Sequence, residues 1–326
     1  MPFLSVVAAL LVIAASADAR AEPLVHTYSV VARDPATGDI GVAVQSHWFS
    51  VGSIVTWAEA GVGAVATQSF VDPGYGPRAL EMMRRGVPAP EALRQLVEKD
   101  AQRDGRQVAM IDASGRVSAY TGRSAIAAAG HHVGRDFSVQ ANMMANEKVW
   151  PAMAAAFDAA KGDLADRMLA ALEAAEKAGG DIRGRQSAAI LIVKAKGSGR
   201  PWAGADRIFD LRVDDHATPV GELRRLIRLQ RAYAHANRGD ELMTEKKVDL
   251  ALKEYEAASR LAPEIVELPF WHAVTLASIG REAEAAPIFK AVFAKEPIWA
   301  TLLERLPAAG LFPDDAALIK RIQALK

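Results

Sequence analysis

The sequence predicts an α+β domain followed by an all-α array. From Val25 to about His216, alternating β-branched segments and glycine-containing turns are mixed with a few helical segments. From Thr218 onward the helical pattern is nearly continuous. Strands that arrive in separate batches with helices between them favour a layered α+β domain over a doubly wound parallel sheet. We therefore divide the chain into residues 1–21, 22–217 and 218–326.

Two hairpins anchor the β part of this prediction. TYSVVARD and IGVAVQS are joined by the turn residues Pro35 to Asp39, and RQVAMID and RVSAYTG are joined by Ala113, Ser114 and Gly115. VGAVATQSF, SAAILIVK and RIFDLRVDD supply further strands. Helices are expected at residues 77–85, 90–99, 149–160 and 164–178, the last capped by Asp163. His131 and His132 are expected in a solvent-facing loop flanked by glycines.

The C-terminal part repeats with a countable period. Ala251, Tyr255 and Pro263 recur 34 residues later as Ala285, Phe289 and Pro297, and this spacing is the tetratricopeptide period. Small residues at such positions let two helices approach closely, and the proline follows the second helix. The position that is usually tryptophan holds His235 and Pro269 instead. The helix that starts at Pro219 is expected to dock this tetratricopeptide-like array onto the first domain.

The first 21 residues predict a signal peptide. The run FLSVVAALLVIAASA is too short for a comfortable membrane span, and A-x-A-like cleavage sites end at Ala17 and Ala21. No Lys or Arg precedes the apolar run, which departs from the usual signal. An uncleaved anchor or a buried N-terminal helix are the alternatives. A cleaved signal predicts a periplasmic or secreted protein with no membrane span after cleavage.

Composition excludes several classes of partner and chemistry. Lys plus Arg equals Asp plus Glu at 39 each, so no net charge favours nucleic acid or an anionic membrane. The chain has no cysteine, which excludes disulfides, thiolate metal sites and cysteine nucleophiles. No phosphate-cradling glycine loop and no HExxH spacing occurs. We therefore expect no metal and no cofactor.

Several ordered segments resemble a known family. HTYSVVARDPATGDIGVAVQSHWFSVGS, GVGAVATQSFVDPGYGP, QVAMIDASGRVSAYTG, FSVQANMMANEKVWPAM, GGDIRGRQSAAILIV and DLRVDDHATPVGELRRL together resemble domain of unknown function 1028 over roughly residues 26 to 231. That family resembles N-terminal-nucleophile (Ntn) hydrolases. The resemblance implies a four-layer αββα sandwich of two antiparallel sheets between helices, and hydrolysis of an amide bond.

Thr27 is the candidate nucleophile. If the chain is cut before Thr27, this residue offers a hydroxyl and a free α-amine whose pKa is near 8, so the amine can accept the hydroxyl proton. In the resembled class the nucleophile heads an inner strand, as Thr27 does in TYSVV. His26 and the residues after the signal must first be removed. The alternative is that Thr27 is simply the first β-branched residue of a strand.

Other polar residues are candidates for supporting roles, and each has an ordinary alternative. Asn142 could donate to an oxyanion, and Ser46, Gln68 and Ser69 could gather beside Thr27 if their strands are adjacent. Hydrogen bonding at strand ends is the ordinary role of such residues. Asp181 and Arg185 could bind substrate, whereas an internal Asp–Arg pair is the ordinary outcome. Asp214 to His216 are expected to cap the helix that follows them.

These residues predict a secreted Ntn-type amidohydrolase with a threonine acyl-enzyme and a small amide or peptide as substrate. The competing class is a non-catalytic periplasmic binding or scaffold protein, in which the helical repeats take a protein or peptide partner. A serine hydrolase built on Ser46 ranks last because no nucleophile-elbow motif occurs. Self-association stays open.

Overall fold

The computed structural model describes residues 24–25, 27–200 and 204–326. The predicted signal peptide, residues 1–21, and His26 lie outside the described residues. None of the helices in the described ranges combines the length and the apolar character that a membrane crossing requires.

Eleven strands of the described chain form two antiparallel sheets, in agreement with the predicted fold class. Sheet I has the order β1-β5-β6-β7, with β4 also paired to β5, and sheet II has the order β11-β10-β3-β2-β9-β8. The strands are β1 Leu24–Val25, β2 Thr27–Arg33, β3 Ile40–Ser46, β4 Thr56–Glu59, β5 Gly63–Phe70, β6 Arg106–Asp112, β7 Val117–Thr121, β8 Gly130–Gly134, β9 Phe137–Ala141, β10 Ser187–Val193 and β11 Arg207–Val213.

The helices lie between the strand groups and at the C-terminus, as the sequence predicts. Asp163 caps the fifth helix by accepting from the backbone N–H of Asp166, and Gly179 and Gly180 follow its end with positive φ. The bounds are α1 Gly52–Val55, α2 Tyr75–Arg84, α3 Ala89–Lys99, α4 Val149–Ala159, α5 Leu164–Lys177, α6 Pro219–Thr244, α7 Val248–Leu261, α8 Glu267–Ser278, α9 Glu282–Lys295, α10 Ile298–Leu303 and α11 Ala316–Gln323.

Alternation along the strands divides the first part of the chain into three apolar cores. Residues such as Val31, Val44 and Ala66 pack between the two sheets. Val65, Val108 and Met110 point the other way, onto α2 and α3. Residues of sheet II pack against α4, α5 and the start of α6, where Val220, Leu223 and Ile227 are buried. The two sheets therefore face each other, with helices on their outer sides.

The register of sheet II aligns polar residues at one end of its central strands. β2 lies between β3 and β9, and β10 lies on the far side of β3. Thr27 is paired with Ser46, which is paired with Ser187, and Tyr28 is paired with Gln45 and Ala141. Because successive side chains point to opposite faces of a sheet, Thr27 and Tyr28 present this end of β2 to two different environments.

The C-terminal helices pack in consecutive antiparallel pairs. A Cβ atom at Gly239 in α6 would lie 2.5 Å from the ring of Tyr255 in α7, so only glycine permits this close approach. Ala285 and Phe289 in α9 are buried in a core that also contains Phe270 of α8. The prolines of the repeat follow the ends of α7 and α9. The region is helical, as predicted.

The structure corrects the sequence prediction at four places. His131 and His132 lie in the edge strand β8 rather than in a loop, although both are exposed as expected. An edge strand can expose side chains to solvent on both of its faces, so apolar and polar residues need not alternate along it. The sequence prediction also missed β9, β4 and α1. All three are only four or five residues long, too short for a periodic pattern to stand out.

Candidate functional site

Thr27 begins β2 with its side chain in the space between the two sheets. The residue is fully buried, and its Oγ1 donates to Ser46 Oγ at 3.1 Å. Ser46 ends the neighbouring strand β3, so the antiparallel pairing itself brings the two hydroxyls together. The first and last residues of adjacent strands thus form the starting point of a polar site.

The backbone of Thr27 is held by two side chains that the sequence singled out. Its carbonyl oxygen accepts from Gln68 Nε2 at 3.0 Å and from the backbone N–H of Asn142 at 3.1 Å. Asn142 Nδ2 lies 3.4 Å from the same oxygen. Gln68 reaches across from sheet I and Asn142 follows β9. These contacts to the carbonyl restrain the orientation of the Thr27 backbone.

Gln107 joins the supports of Thr27 to one another. Its Oε1 accepts from Gln68 Nε2 at 2.7 Å and from Asn142 Nδ2 at 2.8 Å, and its Nε2 donates to the carbonyl of Ala141 at 2.9 Å. Ser29 Oγ donates to Gln68 Oε1 at 2.6 Å. All members are buried. We call this set the inter-sheet polar network: Thr27, Ser29, Ser46, Gln68, Gln107, Gln140 and Asn142.

Three network members escaped the sequence analysis. Ser29, Gln107 and Gln140 stand in segments that otherwise read as ordinary strands. The signal that could have revealed them is a glutamine or serine at the inward position of a buried strand, because a buried amide needs a hydrogen-bonding partner. The strands of Ser46 and Gln68 are not adjacent, which was the condition for these residues to gather at one sheet end: Ser46 lies in sheet II and Gln68 in sheet I. Each of them contacts Thr27.

Ser69 lies beside this network without joining it. The residue has a φ of +72° and is paired with Val25 of β1. Its buried Oγ has no hydrogen-bond partner among the described residues. Met143, directly after Asn142, also has a positive φ, of 56°. Non-glycine residues held in this region store strain, and such residues often cluster at functional sites.

Asp181 and Arg185 do not reach Thr27. The Asp181 carboxylate is buried and accepts from Arg183 Nη2 at 2.7 Å and from the backbone N–H of His47 at 3.2 Å. This is the Asp–Arg pair that the sequence offered as the ordinary outcome. Arg185 instead pairs with Glu176, its Nε lying 3.4 Å from Glu176 Oε1. Both residues line a cavity on the other face of sheet II.

Charge is distributed differently on the two faces of sheet II. The named partners of Thr27 are neutral hydroxyls and amides, so none of them offers a base for the Thr27 hydroxyl. On the other face, burial raises the pKa of the Glu176 carboxyl, and the Arg185 guanidinium opposes this only in part. Burial also holds the pKa of the Tyr28 hydroxyl well above its usual value.

Metal-ligand residues do not converge anywhere in the described ranges. Asp214 Oδ1 accepts from Ser50 Oγ at 2.7 Å. His216 Nδ1 accepts from the backbone N–H of Thr218 at 3.0 Å, immediately before α6. Asp214 and His216 therefore make separate contacts. His216 holds Thr218, the residue before α6, but no side chain in the described ranges accepts from the N–H groups of the first turn of α6, so the predicted capping role is not found.

Comparison with known proteins places the chain in a family. The family of unknown function DUF1028 matches residues 27–223, which is more than half of the sequence. The chain belongs to this family. The resemblance read from the sequence is thereby confirmed at the level of the family, whose function is itself unknown.

A solved structure supports the same assignment. The chain is similar to the crystal structure of protein SPO2555 from Silicibacter pomeroyi, which carries the same family label, with 31% sequence identity and a TM-score of 0.56. The similarity covers 62% of this chain and 84% of that one. No curated protein matches the chain.

Proposed function

We propose that this DUF1028 protein is an Ntn-type amide hydrolase that acts through Thr27. The observation that carries the proposal is the position of Thr27, which heads a central strand and has both its hydroxyl and its carbonyl held by buried partners. The two facing antiparallel sheets, with helices on their outer sides, support the assignment of an αββα sandwich of that class. The family match also begins at Thr27.

Processing supplies the missing base in this proposal. Export removes residues 1–21, and cleavage or trimming then removes Glu22 to His26 and frees the α-amine of Thr27. Because β1 pairs with Phe70 and Ser69 of β5, loss of the preceding segment also uncovers the end of the inter-sheet space. The fully buried Thr27 becomes accessible to substrate by this route.

The chemistry then needs few groups. The α-amine takes the proton of Thr27 Oγ1 as this oxygen attacks the carbonyl carbon of the amide. The same amine passes the proton to the leaving nitrogen, the C–N bond breaks, and an ester on Thr27 remains. Water, deprotonated by the amine, hydrolyses the ester and releases the acid. Asn142 Nδ2, oriented by Gln107, donates to the oxyanion in both steps.

The proposal is tested by the N-terminus and by Thr27 variants. Intact mass and N-terminal sequencing of the exported protein are expected to show a chain that starts at Thr27. Against a panel of small amides and peptides, Thr27→Ala should abolish hydrolysis and Thr27→Ser should keep part of it. Thr56→Ala, which removes another buried hydroxyl, should leave the rate unchanged. A protein that starts at Glu22 and still hydrolyses amides contradicts the mechanism.

Asn142→Ala tests the oxyanion role separately. Removing one preorganised donor from an oxyanion site typically lowers kcat about 100- to 1,000-fold. We expect a loss of that size with little change in KM, measured by steady-state kinetics on the same substrate. An unchanged kcat would show that Asn142 only positions the Thr27 backbone.

The second candidate is a non-catalytic binding protein. In the chain that keeps β1, Thr27 is fully buried and its hydroxyl is bonded to Ser46, which suits a structural role. The C-terminal helices then form a tetratricopeptide-like array that takes a peptide partner, in a cavity of about 720 Å³ lined by Asp240, Tyr255, Trp271 and Leu311 among others. A stable start at Glu22, together with no hydrolysis, favours this candidate.

A further inference from the structure

A second polar cavity lies on the helix-facing side of sheet II. Its volume is about 200 Å³. It is enclosed by β2, β3, the end of α5 and the glycine-rich turn that follows α5. The side chains that define it are Tyr28, Gln45, Glu176, Asp181 and Arg185.

Polar atoms without partners face this cavity. Tyr28 and Gln45 are fully buried, yet the Tyr28 hydroxyl and both amide atoms of Gln45 have no hydrogen bond to any described residue. Glu176 Oε1 likewise accepts no hydrogen bond and has only the longer contact to Arg185. Each buried polar atom left unpaired costs about 1–3 kcal/mol, so the three atoms of Tyr28 and Gln45 at one place need an explanation.

The neighbouring acid, Asp181, differs from these residues because its oxygens are hydrogen-bonded within the protein. Asp181 lines the same cavity, but its two oxygens are taken by Arg183 and by the backbone N–H of His47. The turn therefore satisfies its own carboxylate and leaves the atoms of Tyr28 and Gln45 to something else. Core packing does not account for them, because phenylalanine and leucine would fill the same space without the cost.

The unpaired atoms define the chemistry of the ligand. Gln45 presents a donor and an acceptor side by side, and the group complementary to this pair is another carboxamide. Tyr28 adds a hydroxyl that can donate or accept. The charges of Glu176 and Arg185 cancel, as do those of Asp181 and Arg183. We propose that this cavity binds a small ligand, neutral overall, that carries a carboxamide group.

Size and access agree with a small free molecule. Drug-sized ligands occupy pockets of roughly 300–1,000 Å³, which is larger than this cavity. Water takes about 30 Å³ in the liquid, so the cavity has room for a group of several heavy atoms. The Arg185 side chain is 47% exposed, so this wall of the cavity borders solvent.

This site is separate from the reactive site proposed above. Tyr28 follows Thr27 in β2 and points to the opposite face, into the core formed with α5. Ligand binding here requires neither a free α-amine nor the Thr27 hydroxyl. The hydrolase proposal and this one are therefore tested by different measurements.

The test uses L-glutamine as the probe on the full-length exported protein carrying Thr27→Ala, so that turnover cannot interfere. Binding is followed by calorimetry and by the shift in Tm. L-Methionine has a similar size and no carboxamide, and L-glutamate replaces the carboxamide with a carboxylate. We expect saturable binding of L-glutamine, and binding of either control that is at least tenfold weaker.

Two variants locate the site. Tyr28→Phe removes one hydroxyl and is expected to weaken L-glutamine binding about tenfold, the loss of roughly one hydrogen bond. Gln45→Met keeps the volume and should abolish binding. Tyr75→Phe, whose hydroxyl is bonded to Asp100 on the far side of sheet I, should bind like the parent. The proposal is overturned if L-glutamine does not bind, if L-methionine binds equally well, or if Tyr28→Phe leaves affinity unchanged.

Discussion

The two faces of sheet II, at the end where β2 begins, differ in how their buried polar side chains are hydrogen-bonded. Both bury polar side chains completely. On the inter-sheet face, Gln68 and Asn142 bond to Thr27, and Gln107 bonds to both of them. On the helix-facing side, Tyr28 and Gln45 keep unpaired polar atoms. Thr27 and Tyr28 are adjacent in β2, yet Thr27 belongs to a hydrogen-bonded network and Tyr28 lines a cavity with unpaired polar atoms.

The difference agrees with the two roles proposed above. A network in which amides hold one another is rigid, and rigidity is what positions a nucleophile to within the tolerance of a reaction. Two atoms are exceptions without partners among the described residues: Ser69 Oγ, which lies beside the network, and Gln140 Oε1, which belongs to a network member. A cavity with unpaired groups is costly to the folded chain alone, and binding can recover that cost.

The largest expected effect comes from the same substitution made on each face. Gln107→Leu takes the acceptor from two buried N–H donors, on Gln68 and Asn142, at about 1–3 kcal/mol each. We expect it to lower the free energy of unfolding by about 2–6 kcal/mol, measured by urea denaturation. Gln45→Leu removes an equally buried amide whose two polar atoms have no partner among the described residues, and it should raise the free energy of unfolding by about 1–3 kcal/mol. Equal losses would erase the distinction between the faces.

The strands that carry these faces were predictable because their pattern is local. β2, β3, β5, β6, β7, β10 and β11 were found from alternation and turn residues, and two short turns indicated the hairpins β2–β3 and β6–β7. Thr27, Ser46, Gln68 and Asn142 were identified as polar residues near strand ends. Local patterns determine which residues point inward, and so part of the network could be read from the sequence.

The partners across the sheet interface could not be read in this way. Gln68 meets Ser29 and Thr27 because sheet I packs face to face on sheet II, and this packing depends on contacts between distant segments. The residues around the cavity were still harder to predict from the sequence. Tyr28 and Glu176 lie 148 positions apart and meet only when α5 docks on β2. A lone tyrosine in a strand reads as core, and only its unpaired hydroxyl distinguishes it.

A second, smaller effect compares two buried tyrosines. Tyr28→Phe removes a hydroxyl that has no partner, so the free energy of unfolding should rise by about 1 kcal/mol in protein without added ligand. Tyr75→Phe removes a hydroxyl that donates to Asp100 Oδ2 at 3.0 Å, and it should lower the same quantity by about 1.5–3 kcal/mol. Both substitutions remove one tyrosine hydroxyl, and we expect them to change the free energy of unfolding in opposite directions. A loss of stability in Tyr28→Phe would show that its hydroxyl is already satisfied.

The smallest effect concerns the Glu176 carboxyl and its dependence on pH. Burial raises the pKa of this carboxyl above 4.5, its ordinary value, although Arg185 opposes the rise. Between the ordinary and the raised pKa the folded protein binds more protons than the unfolded chain, so stability falls as pH increases through that range. Above the raised pKa the penalty is constant. Glu176→Gln carries no such penalty, because the glutamine does not titrate.

The difference in unfolding free energy between Glu176→Gln and the parent is therefore expected to change with pH in a defined way. Well below pH 4.5 the group at position 176 is uncharged in both proteins, and their difference in unfolding free energy there sets the baseline. As pH rises, the variant should gain stability relative to the parent, and the gain should level off once Glu176 is fully ionised in the folded state. Losing the Arg185 contact offsets at most about 1 kcal/mol, since Arg185 is half exposed. Urea midpoints from pH 4 to pH 8 measure the trend; a relative stability that decreases with pH would mean that Arg185, rather than burial, governs this carboxyl, and that the cavity already neutralises its own charge.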